Sequence, residues 1–240
     1  MKICRLITAA RILKVLAVYG SLVTIAVTVL VWRNPVQRAI VGMAWGLIFF
    51  WIIMGGILAR VYRDNIRRFI LHVPVGWKIK FVLFATVLAL VEEAITTTMT
   101  NLAPVFGVQV GQAYITASTN YLDVVLGHSV IVFVPMFIAW VWLLSRYDFR
   151  PATVMLLFGL TGTLAEAGSF GLQHLTEIGL WVFVYGLMVY LPACSVPAER
   201  SAKQPRLRHY VLAVFLPFLF AIPVAIVVGS LHPVKIHFPQ

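Results

Sequence analysis

Long apolar stretches alternate with short polar connections along the whole chain. Seven such stretches can be traced, at 12–32, 39–59, 81–102, 124–144, 152–172, 178–196 and 210–230. Each is close to the ~20 residues that an α-helix needs to cross the ~30 Å hydrocarbon layer of a bilayer. The pattern predicts an all-α, polytopic membrane protein, a bundle of seven transmembrane helices forming one domain over residues 1–240. The first stretch follows Lys2, Arg5, Arg11 and Lys14, as a signal peptide would. Its apolar run reaches Trp32 with no small-residue cleavage site behind it, so it reads as a retained signal anchor.

The polar connections set direction. Of the 19 Lys and Arg residues, 16 fall in the N-terminal tail, in 60–80, at Arg146 and Arg150, and in 197–209. The alternate connections hold Arg33 and Arg38, and the C-terminal tail holds Lys235. Because cytoplasmic loops carry the basic excess, the expected arrangement is N-terminus cytoplasmic and C-terminus outside. The connection 103–123, APVFGVQVGQAYITASTNYLD, is long for a bundle and has no Lys or Arg. It is expected to be an outer loop or interfacial segment, with Tyr114 and Tyr121 at the membrane surface. The alternative is an N-terminal extension of the fourth helix, capped by Ser118 or Thr119.

Composition narrows the class further. Apolar residues make up 61% of the chain and charged ones 11%, with a mean hydropathy of +0.95, which excludes a soluble globular domain of ordinary make-up. The net charge of +11 would point to nucleic acid in a soluble protein. Here the basic clusters flank apolar stretches, so the expected partners are the bilayer and anionic lipids at the cytoplasmic face, with no nucleic acid and no protein partner specified. The simplest location is a cell membrane, as a multi-pass protein of a prokaryotic cytoplasmic membrane. Cys4 and Cys194 both fall near the cytoplasmic side, where a disulfide is not expected. No CxxC, HExxH or HxxxH spacing occurs, and neither a metal nor a cofactor is specified.

Candidate chemistry lies in the acids inside the apolar stretches, because an ionised carboxylate in hydrocarbon is costly unless paired, protonated or hydrated. Glu92 and Glu93 occupy the third stretch and Glu166 the fifth, at similar expected depths. Helical spacing extends them into polar stripes: Glu92, Thr96 and Thr100 on one face, Glu93, Thr97 and Asn101 on its neighbour. About 100° separates adjacent residues, so one glutamate is expected to face the site and the other a neighbouring helix. His128, a turn inside the fourth stretch, is expected near the same depth as a proton-transfer partner. Asp123, His174 and Glu177 add to an acidic outer vestibule. Gly159, Thr163, Ala167 and Gly171 form a small-residue seam that would let another helix approach Glu166.

A paired glutamate followed by a histidine on the next span resembles the layout of the CAAX-processing and bacteriocin-processing family of glutamic intramembrane proteases. That family carries EExxxR, FxxxH and HxxxN or HxxxD on successive segments. Glu92 and Glu93 match the first pair and His128 the second histidine, while Thr97 stands at the arginine position, Val124 at the phenylalanine position, and no third motif occurs. The resemblance implies that Glu92 or Glu93 activates water with His128 assisting. Three functions follow as expectations: a membrane-embedded hydrolase or transferase acting on a lipid or membrane peptide, a proton- or cation-coupled transporter, or a structural subunit of a membrane complex.

Overall fold

The computed structural model describes residues 8–232 together with 236 and 238. Lys2, Cys4, Arg5 and Lys235 therefore lie outside the described residues. Among those described the chain is all-helical, with no strands. In order the α-helices are α1 (Ala9–Val31), α2 (Pro35–Leu47), α3 (Gly56–Val61), α4 (Arg63–His72), α5 (Trp77–Asn101), α6 (Tyr121–Gly127), α7 (Val130–Leu144), α8 (Pro151–Phe170), α9 (Ile178–Cys194) and α10 (Leu207–Leu231). A π-helical segment, Ile48–Gly55, joins α2 and α3.

Local chemistry explains the boundaries. Asn34 caps α2 by accepting from the Val36 and Gln37 amides, and Pro35 follows at the first helical position, where no amide is needed. Gly171, at φ +117°, ends α8 in a conformation that a side chain disfavours. The fifth helix thus stops at Phe170, short of the expected 172, and a 3-10 segment, Leu172–Glu177, leads into α9.

Among the described residues five helices are long and apolar enough to cross a membrane: Ala9–Val31, Pro35–Val61, Pro151–Phe170, Leu172–Cys194 and Leu207–Leu231. The pair Tyr121–Gly127 and Val130–Leu144, bent by 44°, makes a sixth if counted as one span. The fourth apolar stretch is therefore a broken helix, interrupted at His128 and Ser129. Apolar side chains on α1 such as Val15, Leu22, Val29 and Leu30 face outward, which suits contact with lipid tails and makes the architecture compatible with a multi-pass membrane protein.

The helix α9 is central, packing against α8, α5 and α1, while α7 packs against α5 and α10. Trp140 and Phe137 of α7, Phe158 of α8 and Met188 of α9 fill the core between them. Small residues set the tightest crossing: a methyl at Gly159 or Gly162 of α8 would collide with the Val182 backbone or the Tyr185 ring of α9. The predicted small-residue seam is thus used through Gly159, and Gly162 on the adjoining row extends it. Segment 103–120 is irregular, with a 3-10 turn at Ala103–Phe106. It does not extend the fourth helix; the cap of α6 is Asn120, which accepts from the Leu122 and Asp123 amides, not Ser118 or Thr119.

Candidate functional site

Three acids lie on α5 and α8, the two helices that pack on α9. Glu92 and Glu93 project from the second half of α5 and are 4% and 7% exposed. Glu166 lies in the last two turns of α8 and is half-buried. Glu92 feels the charges of both Glu93 and Glu166, and Glu93 feels that of Glu166. Both α5 glutamates thus lie within electrostatic reach of Glu166.

Hydroxyl groups supply the cluster's hydrogen bonds. The Tyr185 hydroxyl on α9 donates to Glu166 Oε1. Thr96 donates to Glu93, its hydroxyl lying 3.2 Å from Oε2 and 3.1 Å from the backbone oxygen. Thr96 thus serves the neighbouring stripe and not Glu92 alone. The Ser129 hydroxyl, at the break between α6 and α7, lies within electrostatic reach of Glu93 and donates to the Val124 carbonyl at 3.2 Å. Tyr121 sits beside Glu93 and donates to the Leu90 carbonyl at 2.9 Å. The ion pairs among the described residues are Arg63–Asp64, His128–Asp123, His174–Glu177 and Arg200–Asp148. None of them neutralises Glu92, Glu93 or Glu166.

The other residues singled out by the sequence take different places. The Thr97 hydroxyl is buried without a hydrogen-bond partner. Thr100, fully buried, accepts from the Ile115 amide at 3.2 Å, and Asn101 donates to the Thr119 carbonyl at 3.0 Å. These two tie segment 103–120 over the end of α5. His128 sits in the break one residue from Ser129, and its Nε2 is 4.0 Å from the Asp123 carboxylate. His174 and Trp181 both bond Glu177 Oε2 at 2.9 Å, and the charge of His174 is felt at Glu166.

Sequence reasoning missed Tyr185 and Ser129. Tyr185 is a polar tip in the apolar run WVFVYGLMVY, and a phenol there needs a partner when buried. Ser129 follows Gly127 and His128, a small and polar cluster inside an apolar stretch, which is the usual signature of a helix break.

Among the described residues no group of three or more His, Cys, Asp or Glu side chains is arranged to hold a metal ion. Two of the carboxyl groups take a hydroxyl donor, Glu93 from Thr96 and Glu166 from Tyr185. Comparison with protein-family models, curated proteins and solved structures finds no match in any of the three.

Proposed function

We propose that the chain is a membrane-embedded hydrolase or transferase acting on a lipid or a membrane peptide, with Glu92, Glu93 and Glu166 as its acid/base centre. The observation that carries this is three carboxyl groups within electrostatic reach of one another inside apolar helices, with Thr96 donating to Glu93 and Tyr185 to Glu166 and no Lys or Arg paired to them among the described residues. Acid/base catalysis needs neighbouring groups in different protonation states, and carboxyl groups that repel one another provide them, because a proton on one permits charge on the next. Glu93, which accepts from Thr96, is the base that activates water. Glu92, beside it, carries the proton to the leaving group. Glu166 and Tyr185 orient the pair from the α8–α9 side. His128 with Asp123 assists at the mouth, and Thr97, Thr100, Asn101 and His174 supply the polar lining.

The topology that goes with this reading has seven spans. It adds α5, whose 25 residues give about 37 Å at ~1.5 Å per residue, to the six counted above. The basic excess in alternate connections supports a cytoplasmic N-terminus, an outer C-terminus, α1 as retained signal anchor, and α4 on anionic cytoplasmic lipid of a prokaryotic membrane.

A second reading, a proton- or cation-coupled transporter, is favoured by one feature. The helix break between α6 and α7 falls at Ser129, within electrostatic reach of Glu93, and discontinuous helices are common at transporter ion sites.

The experiment is to reconstitute the protein into vesicles made from a bacterial lipid extract and follow lipid and peptide conversion by mass spectrometry. Conversion by the wild type, lost in both Glu93→Gln and Glu166→Gln at unchanged unfolding temperature, is the expected result. Conversion retained in both variants would overturn the proposal. Proton or cation flux without conversion would replace it with the transporter, and full tolerance of both substitutions in a co-purified complex with the structural subunit.

A further inference from the structure

One cavity is lined by none of the three carboxylates. It has a volume of about 290 Å³ and opens between α1 and the first half of α2, lined by Val31, Trp32, Val41, Gly42 and Trp45, with Phe106 from segment 103–120 closing one side. Its size is near the lower edge of the roughly 300–1,000 Å³ of ligand pockets, so it suits one hydrocarbon segment.

The walls make no demand for a polar guest. The Trp45 indole N–H donates to the Thr28 hydroxyl at 3.0 Å, and that hydroxyl donates to the Thr24 carbonyl at 2.7 Å. The polar atoms of the floor thereby satisfy one another, and an apolar group is the occupant that loses least on entering.

The mouth makes the opposite demand. Arg38 lines the cavity, is exposed to the surroundings, and has as partners among the described residues the Trp32 carbonyl at 3.5 Å and the Trp32 ring at 5.9 Å. A guanidinium offers five N–H donors. Arg33 adds a second exposed cation at the α1–α2 turn. No Asp or Glu precedes Asp64 in the sequence, so nothing within this hairpin neutralises either arginine. Both hairpin helices are long and apolar enough to cross a membrane, which puts the turn at the depth of lipid phosphates.

We infer that this cavity binds an anionic phospholipid, its phosphate on Arg38 and a segment of one acyl chain against Val41 and Trp45. Phe106 links the bound lipid to the segment that Thr100 and Asn101 hold over α5. The inference is independent of the chemistry assigned to the carboxylates.

The test uses native mass spectrometry of the full chain released from nanodiscs of phosphatidylcholine containing a minor fraction of phosphatidylglycerol. The wild type is expected to retain phosphatidylglycerol preferentially. Arg38→Gln should reduce that retention roughly fivefold, the factor that one surface cation contributes, while Arg38→Lys keeps most of it. Val41→Phe, which fills the cavity and leaves the cation, should reduce retention of both lipids. Unfolding temperatures in pure phosphatidylcholine identify any variant that fails to fold, and the remaining variants still decide. Equal retention by the wild type and Arg38→Gln, or no effect of Val41→Phe, would overturn the inference. So would displacement of the lipid by inorganic phosphate, since that would make Arg38 a headgroup contact without a chain site.

Discussion

The Tyr185 hydroxyl donates to the Glu166 carboxylate across the interface between α8 and α9, and the phenol ring reaches that position because Gly162 has no side chain to block it. One glycine, one tyrosine and one glutamate thus act together: the absence of a Cβ on α8 lets a polar tip from α9 enter an apolar interface and find the only kind of partner that justifies it there. Tyr185→Phe keeps the ring packing and removes the donor. The expected outcome is a loss of about 1–3 kcal/mol, the usual cost of leaving a buried polar group unsatisfied, together with reduced turnover. Unfolding in a denaturing-detergent titration measures the first and conversion by the reconstituted protein the second.

Substituting the acids should have the opposite effect on stability. Glu92 and Glu93 are buried side by side with Glu166 within electrostatic reach and no cation paired to them. Glu92→Gln or Glu93→Gln removes a like-charge neighbour and keeps the shape, so stability is expected to stay equal or rise by about 1 kcal/mol while turnover falls. This is the trade expected of a site held for function at the expense of the fold. A marked drop in unfolding temperature for both variants would contradict it.

The α8–α9 crossing predicts a contrast between two glycines of the same helix. Gly159→Ala places a methyl against the Val182 backbone, which cannot swing aside, whereas Gly168→Ala meets nothing within 4 Å. The first is expected to cost about 1–3 kcal/mol by overpacking. The second should be neutral or stabilise by at most about 1 kcal/mol. Paired denaturation curves check both.

Thr100 predicts the behaviour of segment 103–120. Its hydroxyl accepts the Ile115 amide at 3.2 Å in a fully buried position, so Thr100→Val leaves that amide without its partner. The segment should loosen, seen as faster hydrogen exchange and faster proteolysis between 103 and 120, at a cost of about 1–3 kcal/mol. Thr98→Val is the control, since Thr98 is exposed and donates only to the Ala94 carbonyl of its own helix.

Much of the helical architecture was legible because apolar length is a one-dimensional property. The stretches at 12–32, 39–59, 178–196 and 210–230 reappear as Ala9–Val31, Pro35–Val61, Ile178–Cys194 and Leu207–Leu231, offset by a few residues where caps such as Asn34 decide the end. The stretch at 124–144 was less legible. Its hydropathy is continuous across His128 and Ser129, but the helix is not, because Ser129 gives both its amide and its hydroxyl to the Val124 carbonyl five residues back. Within the site, Glu92, Glu93 and Glu166 could be singled out from the cost of burying charge. Tyr185 and Ser129 could not, since a hydroxyl in an apolar run is ordinary until its partner is known.

What the sequence determined by itself is the helical class, the placement of most long apolar helices, and the fact that three carboxyl groups lie within apolar stretches, all of which follow from periodicity and from transfer free energies of single residues. Only the tertiary structure decided that Tyr185 donates to Glu166, that Thr100 and Asn101 hold a loop, and that His128 sits beside Asp123 at a helix break. Those outcomes depend on which helices cross and how closely, and such distances are set by pairs of residues such as Gly159 with Val182 and Gly162 with Tyr185, whose meeting is a property of the packed chain.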